Sequence, residues 1–307
     1  MTAVQIIEYG TIDVTDATGR STPGDGQVLV KVAAASINKI DKAVIDGYLQ
    51  ENLPLELPAT AGGDFVGTVE EVGAGVTHLQ PGERVFGQAG PLLGGTGSLA
   101  DYTVASAEFT ARAPQDLDDV HVAALPLVAT SAVEAINTLQ VGEGTTILVL
   151  GAAGAVGSVA VQVAKDRGAT VYGSAAASEE SYLIGLGVDR VFDYTDDTWL
   201  AEVSDLDAIY DASSGLDPVP YYVLLKRGGR MVSMSTSTEH DTARAADAGV
   251  TAKSQLTQPT RELLEQVAVL ANSGVIVQRI GSSYPLTDAA RAFEEDTDAQ
   301  KRVIIVA

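Results

Sequence analysis

Cysteine is absent from the 307 residues. That excludes disulfides, thiolate nucleophiles, iron–sulfur clusters and every zinc site that needs sulfur. Histidine is scarce: His78, His121 and His240 are scattered, and no two stand at the i, i+4 spacing that would set a pair of imidazoles on one helical face. Basic charge is also scarce. Nineteen Lys and Arg, only 7 of them Lys, stand against 41 Asp and Glu, a net charge of −22, and no basic cluster interrupts the excess. A surface this acidic repels phosphate backbones and anionic lipid headgroups, so nucleic acid and membranes are not expected partners. The N-terminus, MTAVQIIEYG, lacks a basic stretch leading into a long apolar one and reads as the first strand of a cytoplasmic protein.

What is present is a globular composition, 46% hydrophobic and 20% charged, on a chain long enough for one large or two ordinary domains. One stretch, Thr145 to Ala164, runs uncharged for 20 residues, long enough in principle to span a bilayer. Its internal order argues against that. A β-branched and Leu run gives way to GAAGAVG and then to a small-residue helical pattern ending in KDRG, which is the order strand, tight turn, buried helix.

From Met1 to about Asp118, short Val-rich runs bounded by PGDG, GAG, PGE and GGTG predict an irregular, mainly antiparallel sheet. After Ala113-Pro114, helical windows alternate with single strands (TILVLG, TVYGSA, RVFDY, LDAIYDAS, GGRMVSMS), the pattern of βαβ units in a parallel sheet. The last thirty or so residues return to short strands, VIVQRI and RVIIVA, around a helix at LTDAARAFEE, and by pattern alone they fit either lobe. The expected division is 1–118 plus about 273–307 for the β-rich domain and 119–272 for the α/β domain. No internal repeat or low-complexity tract is present.

The strongest local signal is Gly151 followed by Ala152-Ala153-Gly154-Ala155-Val156-Gly157, an A-x-G-x-x-G fingerprint placed directly after the strand Thr146 to Leu150. A glycine after the strand permits the tight turn, Gly154 lets backbone approach a pyrophosphate, and Gly157 lets the helix pack on the sheet. The helix N-terminus, opening at Ala155 and Val156, offers free N–H groups to phosphates. At the end of the second strand, where a carboxylate would bind the ribose hydroxyls of NAD, stand Gly173, Ser174, Ala175, Ala176, Ala177 and Ser178. No acid there repels a 2′-phosphate, and Ser174 and Ser178 can donate to one, so NADPH is expected over NADH. The chain has no GK[ST] after the fingerprint and no G-x-S-x-G elbow, which speaks against phosphoryl or acyl transfer.

The run LVLGAAGAVGSVAVQVAKDRGATVYGS, then LGVDRVFDY, IYDASSG and LKRGGRMVSMS, resembles the Rossmann cofactor domain of the medium-chain dehydrogenase/reductase superfamily. VKVAAASINKIDKAVIDGYL, LPATAGGDFVGTVEEVGAGVTHLQPGERVFG and GSLADYTVAS resemble the GroES-like catalytic domain of its zinc-independent, quinone oxidoreductase (zeta-crystallin-like) branch. The resemblance covers nearly the whole chain. In the superfamily's zinc enzymes a cysteine stands where this chain has Asn38, a His-Glu pair where it has Gly63-Asp64, and a further cysteine near Val128; the four-cysteine zinc lobe is replaced by QAGPLLGGTG.

The resemblance implies zinc-free hydride transfer from NADPH to a quinone or to a double bond conjugated to a carbonyl, with no metal and with a homodimeric state. The alternative is a cofactor-binding sensor or structural protein with little turnover. Asn38 matches a position near the nicotinamide and can bond an acceptor carbonyl, or simply cap the turn in SINKID; Tyr48 matches a cleft tyrosine, as donor or as pocket lining. The resemblance further assigns to the cofactor Thr130 with Ser131, Tyr194, Ser213 with Ser214, and Ser233 to Ser235, with Lys301 or Arg302 reaching its phosphates. Gly63 stands where relatives more often carry an aromatic residue, which bears on acceptor size.

A net charge of −22 opposes a polyanionic cofactor. NADPH affinity is therefore expected to hold or rise as salt screens the long-range repulsion, over a Debye length that falls from about 10 Å at 0.1 M to about 3 Å at 1 M. Fluorescence titration across that range checks it; a steep loss of affinity with salt would reveal a basic phosphate clamp.

Overall fold

The Val-rich runs of the N-terminal part form strands as their patterning requires: β1 (Thr2–Glu8), β2 (Thr11–Asp16), β3 (Gln27–Ile37), β4 (Ala59–Thr60), β5 (Asp64–Val72), β6 (Arg84–Gln88), β7 (Tyr102–Ser106) and β8 (Thr110–Arg112). Helices α1 (Lys39–Ile45), α2 (Asp119–Ala123) and α3 (Pro126–Thr138) accompany them. The structure, a computed structural model, describes all residues except 17–19, 52–53, 214–218, 235–240, 296–299 and 307. It divides into two units, Met1–Thr130 with Gln258–Ala307, and Ser131–Thr257.

The first unit is built around β3. Eleven residues long, β3 pairs antiparallel with β5 and, along its first half, with β7. Val28, Val30 and Val32 enter one apolar cluster with Phe65, Val69 and Val85. Ala35 and Ile37 enter another with Val4, Ile6, Leu99 and Ile304. The β3–β5 register shifts between Val32 and Ala34, where the strand passes from one cluster to the other. The chains come very close at Gly67 of β5, where an added Cβ would stand 2.1 Å from the Lys31 carbonyl oxygen.

The second unit alternates β9 (Thr146–Leu150), α4 (Ala155–Asp166), β10 (Thr170–Ala175), α5 (Glu180–Gly185), β11 (Arg190–Asp193), β12 (Leu206–Asp211), β13 (Leu225–Ser233), α6 (Asp241–Asp247) and β14 (Thr251–Ser254). All six strands are parallel, in the order β11-β10-β9-β12-β13-β14. This is a doubly wound, Rossmann-like parallel sheet, and its order reverses between β9 and β12. The 20-residue uncharged run is β9, a turn and α4; Gly157 to Ala164 of α4 are all buried, which explains their small, apolar character. Among the described residues no helix is long and apolar enough to cross a membrane.

The chain then adds α7 (Arg261–Asn272), β15 (Ile280–Pro285), α8 (Ala289–Glu294) and β16 (Lys301–Ile305) to the first unit. Strand β16 lies antiparallel on β3, and β15 runs parallel beside it. The strand expected at VIVQRI falls instead on Ile280–Pro285. The exit of α7 takes up the earlier residues: Gly274 is left-handed at φ 75°, and the N–H groups of Val275 and Ile276 donate to the Leu270 carbonyl. The units also meet later in the chain than 118 and earlier than 273, because α2 packs on β3, β5 and β16 while α7 packs on β8.

Gly67→Ala is expected to destabilise the protein by about 1–3 kcal/mol or more, since the clash is with backbone. Gly142→Ala, where nothing lies within 4 Å of an added Cβ, is expected to move stability by no more than about 0.5 kcal/mol. Urea denaturation of the two variants checks the contrast.

Candidate functional site: a glycine cradle and a buried polar cluster

In the second unit the turn after β9 is shaped by glycine. Gly151 is left-handed at φ 68°, and a Cβ on Gly157 would stand 2.2 Å from the Gly151 carbonyl oxygen. Gly154 is the N-cap of α4 and has no side chain to satisfy the first-turn amides. The buried Ala152 is tied to the next strand, its N–H donating to the Ser174 carbonyl at 2.9 Å. Ala155 and Val156, half-buried, open the helix. Bare backbone, a 12-residue helix N-terminus and the sheet's switch point coincide here. The donors and the space suit a pyrophosphate, so the residues fit a dinucleotide.

The ends of β12 and β13 are joined by a carboxylate. Asp211, fully buried, accepts from the Ser213 N–H at 3.0 Å and hydroxyl at 2.5 Å through one oxygen, and from the Ser233 hydroxyl at 2.8 Å through the other. Both serines thus stand at strand C-termini, and Gly151 lies against Ser213, whose backbone is 3.1 Å from its would-be Cβ. Ser235, like Ser214, lies outside the described residues. At the end of β10, Ser174 is 3% exposed, whereas Ser178 is open on the turn Ala177–Glu179. Tyr194 stands beside that strand end, its N–H on the Ala175 carbonyl at 3.3 Å and its side chain exposed.

Two expected cofactor contacts point elsewhere. The Thr130 hydroxyl turns back on α3 and donates to the Pro126 carbonyl at 2.5 Å, because a threonine in a helix finds its nearest acceptor one turn earlier. Arg302 is held in the first unit, where its guanidinium donates to the carbonyls of Ala292, at 2.8 Å, and Glu295. These carbonyls close the C-terminal end of α8, a natural seat for a cation. Lys301, the other cation expected at the phosphates, is a member of a buried cluster.

That cluster is the second feature. Asp64, fully buried at the start of β5, accepts from the Ser36 hydroxyl at 2.9 Å, the Asn38 amide at 2.8 Å, the Gln88 amide at 2.5 Å and the Leu127 N–H at 3.0 Å. The Lys301 ammonium lies 3.6 Å from Asp64 and donates to the Asn38 Oδ1 at 2.6 Å and the Ile37 carbonyl at 3.1 Å. Asn38 is the N-cap of α1 and forms a capping box with Asp41 at its third position. Asp41 in turn accepts from the Asn38 N–H at 2.7 Å. Tyr48, just beyond α1, is 79% exposed. Gly63 lies against the Gln88 amide, 3.1 Å from its would-be Cβ, so a larger side chain there would press on a partner of Asp64.

Burial sets the titration of this cluster. Loss of solvent pushes the Asp41 carboxyl up to about 7, and the neighbouring Asp64 adds to the effect against the pull of the Asn38 N–H and Lys301. Burial also lowers the Lys301 ammonium, although Asp64 and Asp41 draw it back. Among the described residues, no three or more His, Cys, Asp or Glu are placed to hold a metal ion.

Sequence reasoning missed Ser36, Asp41, Gln88, Leu127 and Asp211. Asp41 was findable as the acid three residues after a turn asparagine, and Asp211 as the acid closing an apolar strand. Gln88 and Leu127 have no local signal, since only pairing brings them to Asp64.

Two family profiles match the chain, the alcohol dehydrogenase GroES-like domain over residues 24–115 and the zinc-binding dehydrogenase over residues 186–302. The chloroplast envelope quinone oxidoreductase homolog of Arabidopsis thaliana is 29% identical over 90% of this chain and 88% of that protein. The chloroplastic NADPH-dependent alkenal/one oxidoreductase of Arabidopsis thaliana is 32% identical over 74% of this chain, which spans 61% of its length. A mycobacterial protein whose structure was determined in complex with NADPH superposes with a TM-score of 0.84 and 27% identity over 100% of both chains. Fold, cradle and relatives together define an oxidoreductase. The chain belongs to the medium-chain dehydrogenase/reductase family, with quinone oxidoreductases among its relatives.

A carboxyl whose folded pKa lies above its unfolded value binds its proton more tightly when folded. The neutral form of Asp41 therefore favours the native state, and this contribution is lost as pH rises from about 4 through 7. Asp41→Asn is expected to remove that component. Urea midpoints at several pH values across the window should fall more steeply for the wild type than for the variant; parallel slopes would refute the assignment.

Proposed function

We propose that the protein transfers hydride from NADPH to a quinone or to a carbon–carbon double bond conjugated to a carbonyl, without zinc. The glycine cradle at the switch point of the parallel sheet carries this reading. The absence of any carboxylate from 174 to 178 favours NADPH over NADH, as does the likeness to proteins whose names or structures include NADPH. The zinc-free reading rests on the ligand positions of the resemblance, where this chain has Asn38, Gly63, Asp64 and Val128, and on its lack of cysteine.

When bound, NADPH would supply a hydride, two electrons with one proton, and leave as NADP+; the acceptor takes a further proton from solvent. The chain's own part is binding and orientation. Gly151, Ala152, Gly154, Ala155, Val156 and Gly157 would cradle the cofactor's pyrophosphate, with Ser213 and Ser233, both bonded to Asp211 at the neighbouring strand ends, as further contacts. Ser178 and Tyr194 stand at the strand end where the ribose phosphate is read. Asn38 donates to the acceptor's carbonyl oxygen, with Tyr48 as a second, exposed donor. A homodimer in the cytoplasm completes the proposal. No observation favours the alternative of a cofactor-binding sensor with little turnover.

Steady-state oxidation of NADPH and NADH with a panel of quinones and enones tests it. Turnover is expected with NADPH preferred, and Gly157→Ala is expected to weaken NADPH binding by about tenfold or more, a loss of about 1.4 kcal/mol. Neither a change in NADPH fluorescence nor turnover with any acceptor would overturn the reading.

A further inference from the structure

The ends of the adjoining strands β9 and β12 differ in polarity. At the turn after β9, Gly154 caps α4 without a side chain, so the first-turn amides are left for a ligand. At the end of β12 the donors point inward. The Ala212 N–H donates to the Leu150 carbonyl at 3.1 Å, the Met234 N–H to the Asp211 carbonyl at 3.0 Å, and the Ser213 N–H to the Asp211 carboxylate at 3.0 Å. The Ser213 hydroxyl donates to the same carboxylate oxygen at 2.5 Å. A hydroxyl has one hydrogen and two lone pairs. With that hydrogen spent on Asp211, Ser213 Oγ can only accept. Ser213 is half-buried, and its Cα and Cβ lie 3.1 and 3.2 Å from the point where Gly151 would carry a Cβ, so this serine stands against the turn itself.

Strand order decides what can meet it. β10, whose end is the place for the adenosine ribose, lies on one side of β9, and β12 lies on the other. With a pyrophosphate on the turn after β9, the next group on the β12 side is the second ribose, the one that carries the nicotinamide. Ionised phosphate oxygens only accept, and at Ser213 they would meet lone pairs backed by a carboxylate; a ribose hydroxyl has a hydrogen to donate.

We propose that Asp211 is a positioning residue for the cofactor: by holding the Ser213 N–H and hydroxyl, it makes that serine a pure acceptor for a hydroxyl of the nicotinamide-side ribose. This rests on the proposed function. The second Asp211 oxygen accepts from the Ser233 hydroxyl at 2.8 Å, which fixes the plane of the carboxylate. The charge on Asp211 is also felt through the hydroxyl, because a donor bonded to an anion becomes a stronger acceptor in turn. The same polarity keeps phosphate off the end of β12. The dinucleotide is thereby given one register along the crevice, with pyrophosphate on the glycine turn and the second ribose beyond it.

The test is binding, read by cofactor fluorescence with no acceptor present, of NADPH and of an analogue whose nicotinamide-side ribose lacks both hydroxyls. Wild-type protein is expected to bind NADPH about fivefold or more tighter than the analogue, and Ser213→Ala to bind the two within about twofold of each other. By competition against NADPH, 2′-phospho-ADP, which ends at the pyrophosphate, is expected to bind wild type and Ser213→Ala alike. Asp211→Asn is expected to keep the preference, since its amide oxygen can stay on the Ser213 N–H with the amide nitrogen turned to Ser233; Asp211→Leu is expected to lose it. A preference that survives Ser213→Ala, is missing from the wild type or persists in Asp211→Leu overturns the proposal. Should Asp211→Leu fail to fold, the wild-type Ser213 hydroxyl proton decides. A downfield proton resonance, absent from Ser213→Ala, is expected to persist when NADPH binds; its absence, or its loss on binding, overturns the proposal. Protein that binds neither NADPH nor the analogue would instead remove the functional reading on which the proposal stands.

Discussion

A fully buried carboxylate organises the first unit. Asp64 draws donors from β3, β6, α3 and the segment preceding α1, and an ammonium from β16 stands 3.6 Å away. Taking such a group out of water costs several kcal/mol, and the cost is offset only if its lone pairs are filled with good geometry. The strands that supply those donors must therefore arrive in register. A slip of one residue on β5 would turn Asp64 to the opposite face and leave Lys301 unpaired. Removing one member of a buried ion pair typically costs about 3–5 kcal/mol, which is why the C-terminal strand belongs with a domain begun some 300 residues earlier.

The second unit uses the opposite device. Its ligand-facing turn consists of backbone, and side chains are absent where they would obstruct. Gly157 allows α4 to approach the Gly151 carbonyl, and small residues along α4 let the helix bury every face. The negative charge of a phosphate bound there would be met by peptide dipoles rather than by Lys or Arg, which a chain of net charge −22 has few of to spare. Where a carboxylate does stand at the carboxyl ends of the strands, as Asp211 does, it is buried and its oxygens accept from serine hydroxyls and a backbone amide. Acidity is thus compatible with an anionic ligand where, as at Asp211, the carboxylate is already filled with internal donors.

The local signals that were legible share one property: each is complete within a few residues. The fingerprint from Gly151 to Gly157, the alternation of apolar strand and helix, and the Val-rich strands are all periodic or contiguous patterns. The readings that shifted depended on competition between segments. VIVQRI has the composition of a strand, yet its first residues close the end of α7. Thr130 and Arg302 carry the right chemistry for a cofactor, but each has a nearer acceptor, a helical carbonyl one turn back for the first and the end of α8 for the second. Sequence order carries no measure of that distance.

By itself, the sequence determined the two-part organisation, the parallel α/β character of the second part, the glycine turn and the family to which these belong. Those features follow from steric rules and from hydrophobic periodicity, which act over one or two turns of chain. Only the tertiary structure decided that Lys301 bonds to Asn38 beside Asp64, that the Asn38 amide is buried against that pair, and that burial pushes the Asp41 carboxyl up to about 7. The reason is physical. Burial and the sign of neighbouring charges decide what an ionisable or amide group does, and both are fixed by residues tens to hundreds of positions away.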